Sequence, residues 1–400
     1  MEILFISHKF PPAVGGMEKQ SFELIDGMKR FTNVHSIVYT GQQSRIAFFL
    51  SLEKRIQDLC SEYPSISVIH FNDALIATFC LHHKSYAHLY RSVTVHGLDV
   101  VFPSTIYQKY ILPKFNRFDL IIAVSHATKQ ACVQRGIGVR KVVVISNGVD
   151  HTLLQHRPDS NFHQLFRTKY GIDLSGKTIL TTLGRPVKRK GFSWFLQYVL
   201  PELEGNLILL MAGPFNKSRT WQDRFYHFLP PIFRTKIELF TGYPADENKI
   251  RILLNTKKYS QNVLHLGKLP FEELIQILLA TDGFIMPNIA VEGDMEGFGL
   301  VCLEASLCGS WVFAADTDGI TDAITDQKNG TLIRTGSTSD WTAVLNNFIE
   351  NPDVIKKQLE SAKSYTQNTF SWEKMVSSYW SQFKLLVQTG QKVKTSDTNR

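Results

Sequence analysis

The chain is poor in cysteine, with five among 400 residues. These cysteines are scattered, odd in number and never spaced as Cys-x-x-Cys, so neither a disulfide framework nor a structural zinc site is indicated. No apolar run reaches the roughly 18 residues that a membrane span needs. The sequence opens directly into the strand-like segment Ile3–Ile6 rather than into a signal peptide. These absences favour a cytoplasmic protein that is soluble or at most peripheral to the membrane.

Long basic runs and low-complexity segments are also missing. The formal charge is +8, but the basic residues form no aromatic-interleaved module, which argues against a nucleic-acid partner. The positive charge then has three possible explanations: a solvated basic surface, binding of phosphorylated substrates, or a patch that faces an anionic membrane. The three spaced glycines of the dinucleotide fingerprint are absent, which argues against a nicotinamide enzyme.

What the sequence does contain is a regular alternation of short β-branched runs and helix-period segments. This alternation predicts an α/β protein with parallel sheets and helical crossovers. The strands are expected at Ile3–His8, His35–Thr40, Ile66–Phe71, Ser92–His96, Leu120–Val124 and Val142–Ser146, and then at Ile179–Leu183, Leu207–Ala212, Val263–Leu266, Gly283–Met286 and Trp311–Ala314. The helices are expected at Glu18–Lys29, Ile46–Cys60, Leu75–His83, Thr128–Arg135, Phe192–Leu200, Phe271–Ala280, Leu300–Leu307 and Trp372–Val387.

Two doubly wound, Rossmann-like domains in tandem follow from this pattern, with a cleft between them. We expect an N-terminal domain over residues 1–168, a C-terminal domain over 169–370, and a terminal helix with a disordered tail beyond Thr389 over 371–400. In open parallel sheets, ligands bind beyond the carboxyl ends of the strands. The loops that follow strands are therefore where chemistry is expected.

Four such loops in the first half carry polar or glycine-rich motifs. Gly15 and Gly16 open the first helix, where they serve either a ligand or a tight turn. His96 follows the fourth strand and either contacts a sugar hydroxyl or is a satisfied structural histidine. Ser125 is expected to cap a helix, and Gly148 is expected in a left-handed turn.

The second half carries a cationic loop and a pair of glutamates. Arg185 and Lys190 lie just beyond a strand, together with Lys188 and Arg189, and this clustering favours a clamp on a diphosphate over a charged surface turn. Glu296 precedes a predicted helix that starts after the glycines Gly297 and Gly299, and Glu304 lies more than one turn into that helix. Backbone N–H groups there suit a diphosphate, and Glu304 suits the paired hydroxyls of a ribose.

Together these motifs resemble the retaining glycosyltransferases of family 4 (glycosyl transferases group 1), which have the two-Rossmann-domain architecture called GT-B. The resemblance spans nearly the whole chain. It rests on the order of Pro-Pro…Gly-Gly-Met-Glu near residue 15, His96-Gly97, Val124-Ser125, Ser146–Asp150, Gly184-Arg185…Lys190-Gly191, Ala212-Gly213-Pro214 and Glu296-Gly297-Phe298-Gly299…Glu304-Ala305.

The resemblance implies that a nucleotide diphosphate sugar binds mainly the C-terminal domain and that the acceptor binds mainly the N-terminal one. It assigns Arg185 and Lys190 to the diphosphate, Glu304 to the ribose and Glu296 to the donor hexose. Its remaining site residues are the amides of Phe298, Gly299 and Leu300 for sugar and phosphate, Gly15 and Gly16 for diphosphate or acceptor, and His96 for the donor sugar at the reacting centre. No metal and no cofactor are expected, because Arg185 and Lys190 supply the positive charge.

Two stretches depart from that resemblance. Residues 215–262 form an insertion that either packs over the second domain or touches lipid or acceptor. Its aromatic, proline and basic residues are Trp221, Phe225, Tyr226, Phe228, Pro230, Pro231, Phe233, Arg219, Arg224, Arg234 and Lys236. In the other stretch, Asn288–Asp294, the acidic Glu292 and Asp294 either tune donor choice or are solvated.

The resemblance therefore implies a retaining hexosyltransferase that acts on a hydroxyl of a glycan or glycolipid, and we expect it to be cytoplasmic, with peripheral membrane contact left open. A sugar-nucleotide epimerase or a glucan phosphorylase on the same architecture is one alternative. A catalytically silent sugar-nucleotide-binding partner subunit is another, although the intact set of Arg185, Lys190, Glu296 and Glu304 argues against it. The donor base, the donor sugar and the acceptor are not readable from the sequence.

Overall fold

A computed structural model describes residues 1–215, 236–239, 245–256 and 262–394 of the chain. The chain forms two compact units. The first unit comprises Met1–Gly148 with Phe370–Arg400, and the second comprises Val149–Thr369. Each unit contains a six-stranded sheet in which all neighbouring strands are parallel. The predicted fold class, two tandem Rossmann-like α/β units with a C-terminal helix, is confirmed.

The sheet of the first unit has the strand order β2-β1-β3-β4-β5-β6. Its strands are β1 Glu2–Ser7, β2 Val34–Val38, β3 Ile66–Phe71, β4 Tyr90–Val95, β5 Leu120–Ala123 and β6 Val142–Val144. Its α-helices are Gly16–Met28, Arg45–Leu50, Leu52–Glu62, Ala74–Cys80, Leu98–Val101, His126–Gln134 and Trp372–Lys394, joined by shorter helical turns at Tyr107–Ile111, Leu112–Arg117 and Val139–Lys141. The predicted cap at Ser125 is confirmed, since its side chain accepts a hydrogen bond from the Thr128 N–H at 3.1 Å.

The C-terminal helix, Trp372–Lys394, packs within the first unit. Tyr379 and Phe383 are fully buried, and the Tyr379 hydroxyl lies 2.9 Å from the Thr94 hydroxyl of β4. Gly27 lets the helix Gly16–Met28 approach closely, because a Cβ there would lie 2.7 Å from a methyl of Val376. The helix continues past Thr389 to Lys394, and the expectation of a disordered tail stays a prediction.

The sheet of the second unit has the order β12-β11-β10-β7-β8-β9. Its strands are β7 Thr178–Leu183, β8 Leu207–Ala212, β9 Val263–Gly267, β10 Gly283–Met286, β11 Trp311–Asp316 and β12 Thr331–Arg334. Its α-helices are Phe162–Tyr170, Phe192–Trp194, Glu247–Leu254, Phe271–Leu279, Leu300–Leu307, Ile320–Ala323, Thr338–Glu350, Pro352–Lys356 and Leu359–Thr369, with helical turns at His151–Gln155, Lys188–Lys190, Phe195–Val199 and Leu200–Glu202. One core cluster on this sheet centres on Trp311, Phe313 and Trp341.

Several elements differ from their sequence expectations. Strand β12 was not predicted, because an edge strand of four residues with three partly or fully exposed carries little apolar signal. The expected helix Ile46–Cys60 is two helices that meet at Ser51. Gly148 was expected in a left-handed turn, but its φ angle lies outside the left-handed region. A Cβ at Gly148 would instead lie 2.3 Å from the backbone of Ser371 and Trp372, so the position requires close backbone approach.

The boundary between the units lies at Gly148 rather than at the expected residue 168. Residues after 148 make their contacts in the second unit. The Asp159 N–H donates to the Gln276 side chain at 2.9 Å, and Phe166 packs with Ile208 and Leu210. The C-terminal helix, expected as a segment of its own, is grouped with the first unit.

Candidate active site

The cationic loop of the second unit follows β7 and ends at a glycine, which both its backbone conformation and its close packing require. Gly191 has a left-handed backbone, and a Cβ there would lie 2.0 Å from the Pro287 carbonyl oxygen. The Ile289 N–H donates to the Arg189 carbonyl at 2.9 Å. The loop after β7 is therefore fixed against the segment after β10, as the pairing of these two strands allows.

Glu296 receives three donors at one carboxylate oxygen. Its Oε2 lies 2.9 Å from Lys190 Nζ and 3.2 Å from Arg189 Nε, and it accepts from Asn288 Nδ2 at 3.3 Å. The side chains of Lys190 and Glu296 are only 10% and 13% exposed. Lys190 and Glu296, which the sequence assigned to one site from opposite ends of the domain, are thus in direct contact.

Arg189 completes the cluster with a second carboxylate. Its Nη1 lies 3.1 Å from both oxygens of Asp294, whose side chain is 3% exposed. Asp294 is therefore buried and paired, and the reading of this residue as solvated is wrong. A balanced group of two cations and two carboxylates lies at the carboxyl ends of β7 and β10.

Burial and charge act in opposite directions on these groups. Burial alone would raise the pKa of Glu296, but the neighbouring charges of Lys190 and Arg189 outweigh it and lower the pKa to about 2. Burial raises the pKa of Asp294 against the opposing charge of Arg189. Burial alone would lower the pKa of Arg189, but the charges of Glu296 and Asp294 outweigh burial and raise it. Glu296 is consequently an ionised carboxylate at neutral pH.

Behind Glu296, the backbone is held by the turn after β11. The Glu296 N–H donates to Asp318 Oδ2 at 3.1 Å, and the Glu296 carbonyl accepts from the Gly319 N–H at 3.0 Å. A Cβ at Gly319 would lie 1.9 Å from the Gly297 carbonyl oxygen. Burial raises the pKa of the Asp318 carboxyl. These contacts position Glu296 without occupying its second oxygen.

The other predicted residues of this unit lie around the cluster. Gly299 has a left-handed backbone and precedes the helix Leu300–Leu307, Phe298 is 3% exposed, and Glu304 is half-buried within that helix. Arg185 is exposed at the start of the cationic loop. The structure thus places Lys190 and Glu296 in contact, with Gly299 and Leu300 three and four positions further along the chain from Glu296.

Asp246, in a part of the insertion that the structure describes, is hydrogen-bonded to the cationic loop and to the helix that follows it. Asp246 accepts hydrogen bonds from the Ser193 N–H at 2.9 Å and from its hydroxyl at 2.6 Å, and the Asp246 N–H donates to the Pro186 carbonyl at 3.0 Å. The aromatic and basic residues named for the insertion lie outside the described residues, except for Lys236. The choice between packing and lipid contact therefore stays open.

In the first unit, the predicted residues lie at the ends of β1 and β4. The helix Gly16–Met28 begins directly after Gly15, and the Glu18 carboxylate folds back over that glycine, 2.3 Å from where a Cβ would lie. His96 is half-buried, and its Nε2 lies 2.8 Å from the Asn72 carbonyl oxygen. Because a carbonyl only accepts, this nitrogen of His96 carries the proton.

Sequence reasoning did not assign Arg189, Asn288 and Asp318 to the site. In the sequence, Arg189 is one of four basic residues in the same loop. Nothing in the sequence indicates that the Arg189 side chain points inward while that of Lys188 is exposed. Asn288 and Asp318 follow β10 and β11 and act through contacts with Glu296 that depend on strand order. Their position after predicted strands was the available signal.

Comparison with known proteins identifies the class. The profile of the family described as Glycosyl transferases group 1 matches residues 165–371, more than half of the chain, and that of Glycosyltransferase Family 4 matches residues 11–153. The chain therefore belongs to the group 1 glycosyltransferases. Its fold is similar to that of HepE from Anabaena, crystallised in complex with UDP and glucose, with a TM-score of 0.72 at 20% identity over 96% of this chain and 99% of that chain.

Curated relatives are similar over parts of their length. The chain is 27% identical over 259 residues to a D-inositol 3-phosphate glycosyltransferase of Rhodococcus jostii, covering 64% of this chain and 49% of the relative. It is 28% identical over 162 residues to a GDP-mannose-dependent monoacylated alpha-(1-6)-phosphatidylinositol monomannoside mannosyltransferase of Corynebacterium glutamicum, covering 39% and 42%. The chain thus matches less than half of the length of either relative.

None of the helices in the described ranges has the length and apolar character to cross a bilayer. Within the same part of the chain, no group of three or more His, Cys, Asp or Glu side chains is arranged to hold a metal ion.

Proposed function

We propose that this glycosyltransferase transfers a hexose, with retention, from a nucleotide diphosphate sugar to a hydroxyl of a glycan or glycolipid acceptor. The observation that carries the proposal is the buried contact between Lys190 and Glu296 at the carboxyl ends of β7 and β10. A fixed cation beside a carboxylate is the pair that a diphosphate leaving group and a sugar hydroxyl require.

In the proposed complex, a diphosphate oxygen takes the place of Glu296 as the partner of Lys190. Glu296 is then available to accept hydrogen bonds from the donor hexose, with Arg189 and Asn288 retaining it in position. Asn288 adds capacity for a sugar, because its Oδ1 is buried and has no partner among the described residues. Glu304 is proposed to accept hydrogen bonds from the ribose, and Arg185 to contact the diphosphate from the exposed side of the loop.

The proposed transfer step uses no nucleophile from the enzyme. The bond between the anomeric carbon and the diphosphate oxygen breaks, and a bond from the acceptor hydroxyl oxygen forms on the same face. The acceptor proton passes to the leaving phosphate. Lys190 and Arg185 stabilise the negative charge that develops on the departing oxygen, so the proposed reaction needs no metal ion.

Two donor families are supported by different comparisons. HepE was crystallised with UDP, and the mannosyltransferase of C. glutamicum is GDP-mannose-dependent. The acceptors in the relatives' names are an inositol phosphate and an acylated phosphatidylinositol mannoside. A polyol acceptor, free or linked to lipid, is therefore within the proposal, and a peripheral position at the cytoplasmic membrane face goes with the lipid-linked form.

The experiment is a melting-temperature screen against UDP, GDP and ADP and their hexose conjugates, with and without a chelator. Selective binding should raise the melting temperature of the wild-type protein. Glu304→Ala should reduce the affinity for the selected donor about tenfold, because ribose hydroxyls lose their acceptor. Glu350→Ala, at the end of a helix on the same unit, is the control and should bind donor normally.

The outcomes separate the proposal from its alternatives. A selective shift that survives the chelator supports metal-free transfer, and slow donor hydrolysis by the wild-type protein distinguishes an enzyme from a silent binder. A protein that no nucleotide or conjugate stabilises would contradict the proposal. Unchanged donor affinity in Glu304→Ala would remove that residue from the site.

A further inference from the structure

The carboxyl edge of the first sheet gathers polar residues from three neighbouring strands. His8 follows β1, Asn72 and Asp73 follow β3, and His96 follows β4. These strands are adjacent in the order β1-β3-β4 and run parallel. Their polar ends consequently meet at one place within the first unit.

Most polar groups at this edge have fixed partners. Asp73 Oδ2 lies 2.8 Å from His8 Nδ1, and Asp73 Oδ1 accepts from the Ile76 N–H at 2.9 Å. Asp99 Oδ1 accepts from the His96 N–H at 2.8 Å. The side chains of His8 and Asp73 are only 6% and 2% exposed. The edge is therefore a rigid frame of hydrogen-bonded side chains.

Asn72 is the exception in that frame. It is 1% exposed, and neither its amide nitrogen nor its amide oxygen has a hydrogen-bond partner among the described residues. Among the buried amides of the described residues, Gln20, Asn147 and Asn288 lack a partner at the oxygen alone, whereas Asn72 lacks one at both atoms. An amide buried with both its donor and its acceptor unfilled destabilises the free protein.

We propose that Asn72 binds a hydroxyl of an uncharged polyol or sugar ring in the acceptor. A hydroxyl both donates and accepts, so one ring carrying neighbouring hydroxyls satisfies the two sides of the amide. A phosphate group offers only acceptors and would leave the Asn72 oxygen unfilled. The carboxylates of Asp73 and Asp99 in the same frame also oppose an anion at this position.

His8, held by Asp73 at the same edge, has hydrogen-bonding capacity of its own. Because Asp73 accepts at Nδ1, the proton of a neutral His8 ring lies on that nitrogen. Its Nε2 then carries a lone pair, and it makes no hydrogen bond within the described residues. Asp73 is a positioning residue that fixes the ring, while Asn72 and His8 Nε2 provide the free hydrogen-bonding capacity.

This inference deepens the proposed function and rests on it for the identity of the ligand as acceptor. Within acceptors of the polyol phosphate type, it separates two parts of the molecule. The ring hydroxyls bind at Asn72, and a phosphate, where present, binds elsewhere. It thereby predicts that the subsite recognises ring hydroxyls and makes no contact with a phosphate.

The first test needs no acceptor. Asn72→Leu removes the unfilled amide and should raise the melting temperature of the full-length protein. The matched control is Asn329→Leu in the second unit, because Asn329 is fully buried with both amide atoms bonded, to the Thr325 N–H at 2.8 Å and to the Ala323 carbonyl at 3.0 Å. That control should lower the melting temperature.

The second test uses myo-inositol, methyl α-D-glucopyranoside, methyl α-D-mannopyranoside and inorganic phosphate as probes. At least one polyol should stabilise the wild-type protein and should bind Asn72→Leu about tenfold more weakly. Phosphate should not distinguish the two proteins. Nucleotide-induced stabilisation should be equal in both, so a failure of donor binding, which would contradict the proposed function, is seen separately.

Three results would overturn the inference. One is a lower melting temperature for Asn72→Leu, as expected if a buried water satisfies the amide. Another is equal polyol binding, or equal acceptor KM, in wild type and variant. The last is a wild-type protein that none of the polyols stabilises.

Discussion

The two units place different kinds of polar group at equivalent edges of their sheets. The second unit buries four charged side chains against each other, Arg189, Lys190, Asp294 and Glu296. The first unit buries hydrogen-bonded pairs, such as His8 with Asp73, and an amide with spare capacity at Asn72. Fixed charges suit a ligand whose charge changes during reaction, whereas hydrogen-bonding capacity suits neutral hydroxyls. One architecture thus provides an ionic edge and an edge with unfilled hydrogen-bonding capacity.

The largest effect should come from breaking the ionic edge at its cation. Lys190→Ala should reduce turnover roughly 100-fold or more, because the leaving diphosphate loses a buried positive charge. The measurement is kcat for transfer, or for slow donor hydrolysis. Lys188→Ala is the matched control, since Lys188 lies in the same helical turn but is exposed, and it should retain near-normal turnover. Equal turnover in both variants would remove Lys190 from the mechanism.

A second comparison removes one carboxylate from each unit. The fall in the pKa of Glu296 from 4.5 to about 2 corresponds to roughly 3 kcal/mol of stabilisation at neutral pH. That contribution is present above pH 4.5 and is lost as the pH falls towards 2. Glu296→Gln should therefore lower the free energy of unfolding by up to about this amount, and the difference from wild type should shrink over that interval.

The counterpart in the first unit is Glu18→Gln. Glu18 lies in the first turn of its helix and 3.6 Å from the partly exposed Lys9. Such contacts are worth about 1 kcal/mol or less. Urea unfolding of both variants across the acid range makes the comparison. A larger loss for Glu18→Gln than for Glu296→Gln would contradict the contrast between the two edges.

Features that depend on neighbouring residues in the sequence could be predicted, whereas contacts between residues far apart in the sequence could not. Apolar runs such as Leu207–Ala212 were placed correctly, because a strand buried on both faces has a local signature. The contact of Lys190 with Glu296 was indicated only as shared site membership. Its geometry depends on the pairing of β7 with β10, two strands separated in the chain by β8 and β9. The buried directions of Arg189 and Asn72 follow from tertiary packing and have no local signature.

The last expected effect distinguishes the two units by the pH dependence of their stability. His70, fully buried on β3, hydrogen-bonds with Ser92 at 2.8 Å and Thr94 at 3.0 Å. Burial, with a smaller contribution from His96, lowers the pKa of His70 from 6.5 to about 3. Since the unfolded chain protonates first, this group removes stability as the pH falls below 6.5, by about 2 kcal/mol near pH 5. Glu296 has no effect until the pH approaches 4.5.

A variant that is neutral at every pH isolates that contribution. His70→Gln should lose less stability than wild type between pH 6.5 and 4.5, whatever its stability at neutral pH, while His163→Gln, an exposed position, should follow the wild-type curve. The measurement is the free energy of unfolding at several pH values. An unchanged pH dependence in His70→Gln would show that the imidazole is protonated within the folded protein. The first unit would then bury a cation within its sheet, and the contrast between the two units would be limited to the strand ends.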